Sequence, residues 1–169
     1  AGSGDWDTGI AEMLRTRSKG SITEIKHGDP HPLKTKVENP GSLGTDRVAN
    51  AFAVQSGMIQ GIEQSKVWMI VDVGTCVTTD VVCDGLHLGG SISPGLSMRI
   101  NAMRDGTAAL PGVEKEVWTK LAPFKGETIG KTTQEAIIKG AADGISAEII
   151  GRWEILNEQF RDEEVVGVI

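Results

Sequence analysis

Between Val67 and Ile92 the chain passes through three strand-like segments with almost nothing between them: "VWMIVDV" at 67–73, "CVTTDVVC" at 76–83 and "LHLGGSI" at 86–92. Only Gly74-Thr75 and Asp84-Gly85 separate them. Links this short cannot carry a crossover, and Asp-Gly is a strong hairpin signal, so the segments are expected to pair as an antiparallel meander. "SPG" at 93–95 should break the sheet before a short amphipathic stretch, "LSMRINAM", with Leu96, Ile100 and Met103 on one side.

Helical periodicity follows. After "LPG", the positions Ile137, Ile138, Ala141, Ile145, Ile149 and Trp153 keep a helical repeat, which predicts the longest helix over about 133–158. "VVGVI" at the end reads as a buried strand. Upstream, Thr45 is expected to cap a helix whose apolar face is Val48, Ala49, Phe52 and Ala53, running to about Gly57 or Gly61. That places Asp46 and Arg47 in its first turn. Residues 1–36 are polar and mixed in sign; "DWDTGIAEMLRTR" has Ile10, Met13 and Leu14 at helical spacing, and "HGDPHP" supplies loop punctuation. With 169 residues, 39% of them hydrophobic, the chain can bury one core of ordinary size, so a single α/β domain is expected.

Net charge is −6 and the basic residues are scattered, which argues against nucleic acid as a partner. The longest apolar run is interrupted by Asp72 and is far too short to span a bilayer, and the N-terminus has no apolar core of a signal peptide, so a soluble, cytoplasmic protein away from membranes is expected. Cys76 and Cys83 read as free thiols. His27, His31 and His87 lack metal-ligand spacing and read as loop and strand-face residues. Trp68 and Trp153 read as core or interface aromatics.

The chemistry concentrates in "DVGTCVTTD". An Asp ending an apolar strand and followed by Gly-Thr makes a turn whose backbone N–H groups and hydroxyl can face a phosphate, with the carboxylate nearby to hold a cation. The plainer reading is an Asp closing a hairpin and threonines on a solvated face. Asp46 and Arg47 likewise have a plain reading, an acid favourable to the helix dipole beside a surface arginine. Lys131 belongs to no G-x-x-x-x-G-K-S/T loop, so a Walker-type site is excluded.

Company shifts the balance. Gly44-Thr45-Asp46-Arg47, Asp72-Val73-Gly74-Thr75, Gly89-Gly90-Ser91-Ile92-Ser93-Pro94-Gly95, Leu110-Pro111 and Gly130-Lys131-Thr132-Thr133 stand in this order. As an ordered set covering about residues 33 to 169, they resemble the type III pantothenate kinases, whose motifs read G-A-D-R, D-F-G-T-A-T-T, G-G-x-I-x-P-G, L-P and G-K-N-T. Thr45 replaces Ala, Val77 stands where Thr is frequent, and Thr132 replaces Asn.

The resemblance implies a ribonuclease H-like, actin-like kinase fold, here mainly its second half, with the β-meander and the long helix. Residues 1–36 would be an incomplete remainder of the first half with a linker, and 37–169 the substrate- and phosphate-binding domain, since the family's opening D-x-G-N-T motif has no counterpart in this sequence. The implied reaction is ATP-dependent phosphorylation of pantothenate to 4′-phosphopantothenate, which opens coenzyme A synthesis. Asp46 would be the catalytic base; Gly44, Thr45, Asp46, Arg47 and Thr133 would bind substrate, Arg47 suiting the carboxylate of pantothenate with a planar two-pronged grip. Gly74 and Thr75 would contact ATP, and Asp72 would hold a monovalent cation, K⁺ or NH₄⁺, with Mg²⁺ on the phosphates. Thr133 is also read as the N-cap of the long helix. A homodimer with the pantothenate pocket at its interface is implied. The alternatives are a non-catalytic regulatory paralogue of the same fold and a scaffold that uses the long helix as a packing surface.

Overall fold

Among the described residues, three of four strands follow one another directly, and the fourth comes from about seventy residues further along the sequence. The computed structural model describes Met13, Thr16, Arg17 and residues 26–59, 66–120 and 129–169; Ile10 and Leu14 of the first helical pattern lie outside the described residues. Strands β1 (Val67–Val73), β2 (Cys76–Cys83) and β3 (Leu86–Pro94) form the antiparallel meander, and β4 (Val165–Val168) pairs parallel to β1, giving the order β3-β2-β1-β4. Asp84 and Gly85 both take positive φ, 48° and 69°, the backbone of a two-residue hairpin turn whose twist suits its strands. The break expected at 93–95 falls at Gly95, because Ser93 and Pro94 still pair with Val77 and Cys76. Pro94 is tolerated there as the last residue of a strand that is an edge among the described residues.

Helices α1 (Thr45–Gln55), α2 (Leu96–Asp105), α3 (Lys115–Lys120) and α4 (Thr133–Gln159) complete the described elements, with a 3₁₀ turn over Pro40–Ser42. On one sheet face Trp68, Ile70 and Val82 pack with Leu33, Leu43, Ala51 and Val54, so this face belongs to α1. On the other, Val67, Met69, Val71, Val77 and Val165 pack with Ile145 of α4. A helix on each side explains why Val67 to Val71 of β1 read as a continuous apolar run instead of alternating. The first half of α4 packs on α2 through Ile100, Ile137, Ile138 and Ala141. Arg99 of α2 donates through Nε to the Pro94 carbonyl (2.7 Å) and through Nη2 to Ser93 Oγ (3.3 Å) and Glu148, tying the end of β3 to α4. Among the described residues, no helix is long and apolar enough to cross a membrane.

Two expectations about α1 need correction. Thr45 does not cap it: Gly44, extended at φ −61° and ψ 145°, is the N-cap, and Thr45 is the first helical residue. The buried stripe is also rotated from the expected one. Ala51 and Val54 are buried, with Val48 and Phe52 packed beside them, while Ala49 is exposed. The cause is Arg47, which at helical spacing from Ala51 and Val54 turns toward the sheet instead of the solvent. The helix closes as its glycine suggested: Gly57, at φ 69°, donates to the Val54 carbonyl and Met58 to that of Ala53, a Schellman ending.

The cap of α4 is shifted in the same way. Thr132, not Thr133, is the N-cap, with Oγ1 accepting from Glu135 N–H (3.2 Å) and Glu135 Oε2 accepting from Thr132 N–H (3.2 Å). Only Thr132 has an acid three residues on, so only it can close a capping box. Thr132→Ala should therefore cost the protein about 1 kcal/mol of stability, and Thr133→Ala a few tenths at most. Chemical denaturation of the protein and both variants checks this; equal losses would mean that the box is not what holds the helix end.

Candidate active site

Gly44 is followed by a carboxylate that folds back over it. Asp46 Oδ1 accepts from the Arg47 N–H at 2.9 Å, and a Cβ built on Gly44 would come within 2.5 Å of that same oxygen. Any larger residue at 44 would have to push the carboxylate aside. Asp46 is half-buried. One turn along the same side of α1 lie Asn50 and then Ala53, and both line an open cavity of about 500 Å³ with Ile70, Asp72, Val168 and Ile169. Asp46 and Asp72 thus belong to one side of the sheet, since Asp72 shares the parity of Trp68 and Ile70 along β1.

Arg47 reaches down to the sheet. Its Nε donates to Asp80 Oδ2 at 2.9 Å and its Nη2 to Asp80 Oδ1 at 2.6 Å, the two-pronged geometry of a strong guanidinium–carboxylate pair. The arginine side chain is 13% exposed and that of Asp80 only 3%. Asp80 Oδ1 also accepts from Nε2 of His87, which is fully buried, at 2.7 Å. On the far side of the ring, Thr35 Oγ1 lies 2.8 Å from His87 Nδ1 and accepts from the Val37 N–H. The backbone of His87 is held as well: its N–H donates to the Lys34 carbonyl and its carbonyl accepts from Lys36. Directly opposite Asp80 in the sheet is Gly90, where a Cβ would come within 1.9 Å of the Thr79 carbonyl oxygen. Burial pushes the Asp80 carboxyl up, yet the hydrogen bonds from His87 and Arg47, with the arginine charge, outweigh it and leave Asp80 below the usual carboxylate range. The hydrogen bond to Asp80 raises Arg47 in turn, against the pull of burial.

The turn between β1 and β2 is open. Gly74 and Thr75 are exposed, Asp72 is half-buried, and a Cβ built on Gly74 would come no nearer than 3.9 Å to Cys76 O and 4.0 Å to Asp72 Oδ1. Its shape is set by Gly95. The Gly95 N–H donates to the Thr75 carbonyl at 3.0 Å, and a Cβ on Gly95 would strike Gly74 O at 2.2 Å and Thr75 O at 2.6 Å. The "DVGT" and "SISPG" segments are therefore one backbone unit. Thr133, exposed in the first turn of α4, lies on the opposite side of the sheet from α1 and does not join the Asp46 cluster within this chain.

Asp80 and His87 were not singled out as site residues from the sequence. The available signal was a lone Asp at an inward position of "CVTTDVVC", with the same parity as Val82. A charge there needs a buried partner, and the fold supplies two, His87 and Arg47.

One sheet face of this mixed α/β domain thus carries Asp46, Arg47, Asp72 and Asp80, and of these Asp72 lines the open cavity. The chain belongs to the type III pantothenate kinase family, whose sequence profile matches residues 5–154. Type III pantothenate kinases are similar to it from Thermosipho melanesiensis (40% identical, 77% of this chain, 48% of the relative), Christiangramia forsetii (34%, 80%, 51%) and Fervidobacterium nodosum (32%, 87%, 53%). The chain spans about half the length of these relatives. A solved structure of a conserved Campylobacter jejuni protein, put forward as a Baf family transcriptional activator, covers 70% of this chain and 49% of its own at 22% identity with a TM-score of 0.41, a likeness that carries no argument.

The lowered Asp80 carboxyl predicts a pH dependence. Folding holds this group ionised to lower pH than the unfolded chain does, so its contribution is complete above about pH 4, the unfolded value, and is lost as pH falls through the lower folded value. Asp80→Asn should start less stable by roughly 3 kcal/mol, because it leaves a buried arginine without its carboxylate. Its stability should then fall less steeply below pH 4 than that of the wild type. Denaturation curves from pH 7 to pH 2 give the comparison, and parallel curves would assign the acid dependence to other carboxylates.

Proposed function

We propose that residues 37–169 are the substrate- and phosphate-binding part of an actin-like, ribonuclease H-like kinase that transfers the γ-phosphoryl group of ATP to the primary hydroxyl of pantothenate, yielding 4′-phosphopantothenate for coenzyme A synthesis. Family membership supports the reaction. The observation that carries the assignment to residues is that Asp46 and Asp72 belong to the same side of the sheet, with Asn50 and Ala53 of α1 facing the cavity Asp72 lines. A base for the hydroxyl and a ligand for the phosphate end must share one site.

In this reading Asp46 takes the hydroxyl proton as the oxygen attacks phosphorus. Its carboxylate is oriented for that by the Arg47 N–H and by the missing side chain of Gly44. Gly44 and Thr45 bring backbone close to the substrate, and Arg47 grips the pantothenate carboxylate with the donors that Asp80 leaves. Gly74 and Thr75 present the exposed turn to the phosphates of ATP. Asp72 would hold a monovalent cation, K⁺ or NH₄⁺; its half-buried carboxylate stands beside the open turn, with Oδ1 4.0 Å from where a Cβ on Gly74 would lie. Mg²⁺ on the phosphates would offset their charge during transfer.

Thr133, on the other sheet face, would reach substrate across a subunit boundary, so a homodimer with a shared pocket is part of the proposal. The exposed apolar residues Ile150 and Trp153 of α4, 57% and 45% exposed, offer a surface for one.

Two variants test the reading in the natural protein that carries this sequence. Asp46→Asn keeps the shape and deletes the base, so pantothenate affinity should persist while turnover falls on the order of a hundred- to ten-thousandfold; near-normal turnover with saturating substrates would remove Asp46 from the role. Asp72→Asn should abolish activation by K⁺ or NH₄⁺ and weaken ATP binding. If instead the K⁺ response is intact and only the melting point drops, Asp72 is a strand-end cap.

A further inference from the structure

Arg47 has two demands on one guanidinium. It is meant to meet a substrate carboxylate, yet Nε and Nη2 already bind Asp80. A buried ion pair is seldom more stabilising than an apolar pair of the same volume, so its presence asks for a reason other than stability. The hydrogen-bond order supplies one. The Val37 N–H donates to Thr35 Oγ1, the Thr35 hydroxyl to His87 Nδ1, His87 Nε2 to Asp80 Oδ1, and Arg47 to both Asp80 oxygens. A carboxylate only accepts, so Nε2 must carry the proton toward Asp80 and Nδ1 is left to accept from Thr35.

Each link fixes the next. His87 is fully buried and pinned through both backbone groups, so its ring cannot swing away from Asp80. Asp80 receives three hydrogen bonds, which set the plane of its carboxylate, and two-pronged pairing then sets the plane of the guanidinium. Among the described residues, what remains to Arg47 is Nη1 and the second Nη2 proton. These lie on the guanidinium edge away from the Asp80 pairing.

We propose that Asp80, oriented by the buried His87 and Thr35, is the positioning residue that aims Arg47 at the carboxylate of the substrate. The inference rests on the pantothenate reading above and adds a chain of residues behind the substrate-binding arginine. It implies that carboxylate recognition depends on side chains that never touch the ligand.

Two measurements in the natural protein test it. In a proton–nitrogen correlation spectrum, a pinned Arg47 gives a distinct Nε–H resonance, identified by its loss in Arg47→Ala. His87→Leu should collapse that signal into the exchange-averaged arginine peak, and His87→Gln, whose amide can still donate to Asp80, should retain it. A distinct resonance in His87→Leu would overturn the orienting chain. Kinetically, Arg47→Ala and Asp80→Asn should each raise the pantothenate KM on the order of tenfold. The double variant should be no worse than either, and it also avoids the uncompensated buried arginine of Asp80→Asn alone. A pantothenamide, which has no carboxylate, should show KM values within about twofold of wild type throughout. Additive losses, or equal losses on both substrates, would make Asp80 merely structural and overturn the proposal. A wild-type protein that leaves pantothenate untouched would overturn the functional reading and the carboxylate target with it, while the Nε–H signal would still decide whether Asp80 and His87 hold the guanidinium.

Discussion

A carboxylate in the middle of a buried strand must find a partner, and the partners of Asp80 decide where α1 sits. Arg47 comes from the first turn of that helix and reaches the second strand of the sheet, so the pair fixes both the height and the rotation of the helix start. Ala51 and Val54 then fall on the apolar face of Trp68 and Ile70. Asp46, the next residue back, is held on the same side of the sheet as Asp72 by the same anchoring. Hydrophobic burial supplies the attraction between helix and sheet without direction. The ion pair supplies the direction.

A second constraint is backbone contact. Gly95 touches the carbonyls of Gly74 and Thr75 closely enough to exclude any side chain, and it donates a hydrogen bond to one of them. Two motifs that stand twenty residues apart in the sequence are therefore one rigid corner, with α2 starting from it. Arg99 extends the corner to Glu148 on α4. The phosphate-site reading of the Gly74-Thr75 turn gains from this, because an exposed turn that is held from behind can keep a fixed shape.

The sheet was legible because its information is local. Two-residue links and an Asp-Gly turn leave a meander little choice, and β1 and β2 have the bounds expected for them, 67–73 and 76–83. Helix ends were less so. Thr45 and Thr133 each stand one residue inside the true boundary, since a hydroxyl residue is a cap only when its own backbone is extended, which composition does not reveal; the Thr132…Glu135 spacing would have settled the second case. The rotation of α1 could not be read from hydropathy at all, because the residue that sets it is an arginine. Asp46, Arg47, Asp72, Gly74 and Thr75 were found as members of an ordered motif set. Asp80 and His87 are not legible in this way, because a lone polar residue in a strand is ordinarily on its wet face and only their buried partners place these two inside.

The pairing of β1 with β4 joins segments separated by about a hundred residues, whereas the three meander strands close through tight turns. Loop closure of that length must be met before the parallel contact repays it, so the meander can form early and β4 docks late. Val168 of that strand and Ile169 just after it form part of the wall of the cavity beside Asp72. That wall of the cavity is thus completed only by a long-range pairing, so the shape of the site depends on an order of assembly that pulsed hydrogen exchange at Val166 and Val168 during refolding would register.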